Sequence, residues 1–176
     1  MLGNHPIGLY EKALDPSDDW KRRLEKAKKL GFDFMEICID EDERRWGRLY
    51  EPPAAREALH VACREAGLPI RSMCLSVHRK FPFGSAEPTI RKKAGDLMLR
   101  AIDYAGEMGI RVIQLAGYDV YYEQSTPESR ARFEGGLSWA AEQAAVGQVM
   151  LGMELMDTPP MPMKKTSWPL SRYFTK

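Results

Sequence analysis

A chain of 176 residues has the length of one domain, and its 26 Lys and Arg against 25 Asp and Glu leave a formal charge of +1. That balance excludes a field able to draw nucleic acid or an acidic membrane surface, and no stretch reaches the ~20 apolar residues of a membrane-spanning helix. Residues 1–10 lack the basic start and apolar run of a signal peptide, and three cysteines (Cys38, Cys63 and Cys74) without C-x-x-C spacing fit free thiols in a reduced, cytoplasmic setting.

Residues 7–10 read as a first short strand. Asp15-Pro16-Ser17-Asp18 then offers caps for a helix, and Trp20, Leu24, Ala27 and Leu30 recur at the three- and four-residue spacing of an amphipathic stripe. A second strand over 34–39 runs into Asp40-Glu41-Asp42-Glu43, which reads as a solvated loop and helix cap. A helix over 53–66, a strand over 70–75 and a loop over 76–88 follow, with Pro82 and Gly84 excluding regular structure from that loop. The next helix, 89–108, places Ile90, Ala94, Leu97, Met98, Ala101, Ile102 and Ala105 on one side. A fourth strand over 112–116 enters Gly117-Tyr118-Asp119-Val120-Tyr121-Tyr122, then come a helix over 127–145 and a fifth strand over 149–154.

One ending recurs: Lys29-Leu30-Gly31-Phe32, Glu65-Ala66-Gly67-Leu68 and Glu107-Met108-Gly109-Ile110. Each reads as a helix stopped by a glycine in the left-handed region, an apolar residue, then a strand. Strand–helix alternation of this kind predicts an α/β chain with parallel strands. Such units close into a (β/α)8 TIM barrel at roughly 250 residues. About five are present, so the expectation is a partial barrel over 1–157. After Asp157, residues 158–176 carry Pro159, Pro160 and Pro162 and no apolar period; they read as an irregular tail, the product of a frameshift or an early stop.

In parallel barrels chemistry sits at the C-terminal ends of the strands. That rule selects Glu36 and Asp40, His78 and Arg79, Gln114 and Tyr118, and Glu154 and Asp157. Glu36 lies in an apolar run and reads either as a site residue or as a structural partner of an Arg or Lys, since a buried carboxylate is costly unless paired. His78, with Arg79 and Lys80, forms a cationic cluster suited to a phosphate or a sugar hydroxyl; the alternative is a loop histidine in a basic turn. Glu154, between Met153 and Leu155, is the strongest candidate, as a metal ligand or a base, with a buried ion pair as its structural alternative.

Five segments together closely resemble one family: Ile7-Gly8-Leu9-Tyr10-Glu11-Lys12-Ala13-Leu14; Leu30-Gly31-Phe32-Asp33-Phe34; Ser72 to Arg79 with Phe81-Pro82-Phe83-Gly84-Ser85; Ile110 to Tyr122, with its long Gln-Leu-Ala-Gly-Tyr-Asp-Val-Tyr-Tyr stretch; and Met153-Glu154-Leu155-Met156-Asp157. The family is the L-ribulose-5-phosphate (L-xylulose-5-phosphate) 3-epimerases of L-ascorbate catabolism, which are xylose-isomerase-like TIM barrels. The resemblance covers about residues 6–158. It implies a divalent metal, zinc or manganese, that holds two oxygens of a small ketose phosphate while one glutamate removes the C3 proton and a second returns one on the opposite face. Within the family's Glu-Asp-His-Glu metal set, Glu154 matches the first member, which is also an acid/base. His78 and Arg79 are implied as substrate contacts. The other three ligands belong to later strands that this chain does not match, so the resemblance leaves open a weak or inactive enzyme. An alternative is a non-catalytic half-barrel that forms homo-oligomers through the exposed edges of its first and fifth strands. A third reading, a phosphodiester-cleaving relative, is disfavoured by the near-neutral charge.

Overall fold

A computed structural model describes residues 5–154; Asp157 and the tail expected over 158–176 lie outside the described residues. In chain order the elements are β1 (Gly8–Tyr10), α1 (Trp20–Lys29), β2 (Phe34–Ile39), α2 (Glu43–Trp46), α3 (Pro53–Ala66), β3 (Ile70–Leu75), α4 (Pro88–Met108), β4 (Val112–Ala116), α5 (Pro127–Val146) and β5 (Met150–Glu154). Tight 3-10 turns occupy Glu11–Ala13, Gly47–Tyr50 and Ser76–Arg79. The strands form one five-stranded sheet whose order follows the chain, β1-β2-β3-β4-β5, with every neighbouring pair parallel. This is the wall of a (β/α)8 barrel in part.

The helix ends have local causes. Asp19 caps α1 by accepting from the Arg22 amide at 2.8 Å, and Lys26, Lys28 and Lys29 complement the dipole of its last turn. Thr126 and Ser129 form a reciprocal capping box at the start of α5. Gly31, Gly67 and Gly109 have φ of +87°, +61° and +68°, the left-handed stops that their recurring sequence predicts.

The two faces of the sheet differ sharply. Met35, Ile37 and Ile39 of β2, Met73 and Leu75 of β3, and Ile113 and Leu115 of β4 are buried, joined in one core to Leu24 and Ala27 of α1 and to Leu97, Met98 and Ala101 of α4. Alternation along the strands puts Tyr10, Glu36, Cys38, Ser72, Cys74, Gln114 and Glu154 on the other face. Most of these are polar and partly open, so the inner face is a cup.

One buried carboxylate ties the helical layer to the sheet. Glu11, just past β1, is 3% exposed. It accepts from the Cys38 amide at 2.9 Å, continuing the β1–β2 ladder where β1 has ended. Both its oxygens take Arg48 Nη1, at 2.8 and 3.0 Å, and Arg23 and Arg45 lie at 3.7 Å. A buried carboxylate is tolerable because it is fully surrounded by donors.

Asp40-Glu41-Asp42-Glu43, expected as a solvated loop and helix cap, does supply the cap but is not solvated at Asp40. Asp42 caps α2, accepting from the Arg44 amide at 3.0 Å, whereas Asp40 is 9% exposed and bonded to two cations. The loop after β3 is pinned to the loop after β4. Gly84 N–H donates to the Asp119 carbonyl at 3.1 Å, and a Cβ at position 84 would stand 2.4 Å from that oxygen.

Candidate functional site

A cavity of about 160 Å3 opens at the C-terminal ends of the strands. Tyr10 and Lys12 reach it from β1 and the turn beyond, Asp40 and Glu41 from the end of β2, and Cys74, Ser76 and Arg79 from β3 and its 3-10 turn. Gln114 and Ala116 of β4 and Glu154 of β5 complete the lining. A larger hollow of about 360 Å3 lies at the opposite end of the sheet, between the C-terminal ends of α3 and α4, and holds none of the expected site residues.

Glu154 sits at this mouth, exposed, with the Gln114 side-chain amide donating to its Oε2. Its backbone is held too: Gly117 N–H donates to the Glu154 carbonyl at 2.8 Å. A Cβ at position 117 would lie 2.7 Å from that carbonyl oxygen, so only glycine permits the approach.

Lys12 and Arg79 bring positive charge to the rim. Lys12 pairs with Asp40, which Arg45 also meets at 3.0 Å and the Asp42 amide at 3.1 Å. Burial works against the Asp40 charge, but the bond from Lys12, the Asp42 amide and the two cations together hold its pKa below the ordinary carboxylate value. Burial likewise disfavours the Lys12 ammonium, and Asp40 outweighs it, raising the Lys12 pKa. Arg79 lies 3.6 Å from Glu41, with its guanidinium 4.7 Å from the centre of the Tyr121 ring. Tyr122 donates to Glu41 at 3.2 Å, drawing the loop after β4 over the rim.

Arg79 and His78 part company. In a 3-10 turn residues three apart share a face. Ser76 and Arg79 therefore face the cavity, while Val77 and His78 turn into the core. His78 Nε2 lies 3.2 Å from the Ala94 carbonyl on α4, and its ring centre is 4.7 Å from that of Phe83. Burial pushes its pKa down to about 4 against the opposing pull of that carbonyl. The structure thus brings Arg79 and Glu154 to one cavity and leaves His78 outside it.

The remaining expected positions are resolved individually. Glu36 accepts from Ser72 Oγ at 2.7 Å, its register partner on β3, in place of the Arg or Lys considered from sequence. Tyr118 is buried under the rim beside Tyr121, at 5.3 Å between ring centres. Lys12 and Ser76 are lining residues that the sequence reading passed over. Lys12 lies two residues past β1, so the strand-end rule applied one turn further would have found it. Among the described residues no three His, Cys, Asp or Glu side chains are grouped to hold a metal ion. The donors described here therefore do not complete a metal site, and Glu154 stands as its single expected member.

The sequence model of the xylose isomerase-like TIM barrel family matches residues 24–175. Over 157 residues the chain is 52% identical to the putative L-ribulose-5-phosphate 3-epimerase SgbU of Escherichia coli, covering 89% of this chain and 55% of that protein. Over 156 residues it is 49% identical to the L-ribulose-5-phosphate 3-epimerase UlaE of Salmonella heidelberg, with the same coverage of 89% and 55%. The chain thus spans about 55% of the length of these curated relatives. Among solved structures, a D-psicose 3-epimerase crystallised in the presence of D-fructose superposes with a TM-score of 0.70 at 18% identity, over 87% of this chain and 53% of that one. An L-ribulose 3-epimerase gives 0.63 at 18% identity, over 86% and 50%. At such identity these structures establish the fold alone.

Proposed function

The chain belongs to the xylose isomerase-like TIM barrel family, and on that premise we propose that its cup serves a sugar-phosphate 3-epimerase, interconverting L-ribulose 5-phosphate and L-xylulose 5-phosphate. Two things support the reading: relatives of that name at 49–52% identity, and the Glu154 carboxylate held at the mouth by Gln114. The second observation carries the chemistry. Gln114 occupies Oε2, which among the described residues leaves Oε1 to accept a proton from C3 of a bound ketose. The electron pair moves toward the C2 carbonyl, and a proton returned from the opposite face inverts the centre. A single base on one face would restore the starting configuration, so inversion needs a second acid on the opposite face. Arg79, with Lys12 across the cavity, supplies charge for the phosphate. His78 contributes by anchoring the turn that presents Arg79.

The family resemblance adds a divalent metal, zinc or manganese. Glu154 is the residue here that would hold it; the described donors complete no site, and no step above runs through it. The open edges of β1 and β5 in the described sheet support a second reading, a non-catalytic half-barrel that self-associates along them.

A partial reaction separates the two. The purified chain is incubated with L-ribulose 5-phosphate and Mn2+ in D2O, and the C3 proton is followed by NMR. The epimerase reading expects deuterium at C3, slowed about 100-fold or more by Glu154→Gln. No exchange from a chain with intact circular dichroism overturns it and leaves the half-barrel, whose mark is association in sedimentation.

A further inference from the structure

On the inner face of the sheet, Cys38 of β2 and Cys74 of β3 are direct register partners in parallel strands. Both thiols are free. Cys74 lines the cavity, Cys38 is buried beside it, and the Tyr10 hydroxyl donates to Cys38 Sγ at 2.9 Å. Burial raises the pKa of both thiols, Cys38 to about 11, so both stay protonated in the free protein. The proposed epimerisation uses neither.

We propose that Cys38 and Cys74 form a two-sulfur site for a soft, two-coordinate cation of the copper(I) kind, entered through the cavity. Adjacent strands lie about 4.7–4.9 Å apart, and register partners in a parallel pair project side by side. With the zinc–thiolate bond of about 2.3 Å as a guide, two metal–sulfur bonds in line span about 4.6 Å, close to that spacing. A disulfide matches it less well, because it needs Cβ atoms about 3.5–4.5 Å apart. Soft thiolate ligands select copper(I) over harder ions. On binding, each thiol releases its proton to solvent as a sulfur–metal bond forms, and no oxidation occurs. Lys12 favours the Cys38 thiolate, and the Tyr10 hydroxyl remains as donor to the bound sulfur. An ion held there would sit on the cup floor, in the same row of the sheet as Gln114, the partner of Cys74. The site is independent of the sugar-phosphate reading.

Silver(I), which does not change oxidation state, is the probe. The reduced chain is titrated with Ag+ and its affinity measured by competition. One ion per chain is expected, with affinity lowered about 100-fold or more by Cys38→Ala and by Cys74→Ala, and unchanged by Cys63→Ala. Affinity that survives either of the first two substitutions, or falls with the third, overturns the proposal. X-ray absorption on the silver-loaded Cys63→Ala chain decides the matter even where the other variants misfold. That chain has only these two thiols, so two silver–thiolate bonds per silver are expected, and a single one refutes the pairing.

Discussion

At the scale of single residues, His78 shows how a position can be legible while its direction is not. Its place just after a strand marked it for the site, and the strand-end rule was satisfied. The unforeseen feature was the 3-10 turn, whose three-residue period sends Arg79 to the cavity and His78 to the core. Glu11 was illegible for a different reason: its partners at positions 23, 38, 45 and 48 are gathered only by the fold. Burial of His78 has a measurable consequence. The folded state stays neutral down to about pH 4, whereas the unfolded residue charges near 6.5. As pH falls through that window the unfolded chain binds the extra proton, so stability declines and the loss levels off below about pH 4 at roughly 3 kcal/mol. In urea melts, His78→Gln is expected to flatten the fall in midpoint between pH 6.5 and 4. A variant with an unchanged slope would place the titration elsewhere.

At the scale of elements, the strands over 34–39, 70–75 and 112–116 and the helix over 53–66 lie where their patterns put them. Their signals are local: buried runs of strand length, apolar stripes at helical spacing, and glycine stops. The helix α2 and the three 3-10 turns went unread because four residues or fewer cannot display a period. Glycines separate by environment in the same way. Gly84→Ala sets a methyl against two backbone oxygens, at 2.4 Å from Asp119 and 2.8 Å from Ser129, and is expected to destabilise by about 1–3 kcal/mol. Gly135→Ala, inside α5 with nothing within 4 Å, is expected to stabilise by about 0.5–1 kcal/mol. A denaturant midpoint that rises for Gly84→Ala as it does for Gly135→Ala would contradict the close approach at Gly84.

At the scale of the molecule, the parallel sheet and its chain-ordered strands were legible from alternation, and the cup follows from the pleat. The site was legible in part: strand ends gave Glu154 and Arg79, but the ion pairs around Asp40 depend on α2, which no pattern announced. Neighbouring residues of β4 test the two-faced construction. Leu115→Ala, on the sealed face, is expected to cost about 2–5 kcal/mol. Gln114→Ala, on the cup, should leave the chemical-denaturation midpoint nearly unmoved while it frees the Glu154 carboxylate. Equal losses would mean that the cup also holds the fold together. Odd and even positions along each strand thus answer to separate demands, which suits the scaffold to directed evolution. A library confined to Tyr10, Glu36, Ser72, Cys74, Gln114 and Glu154 would sample new ligand preferences while leaving folding yield intact.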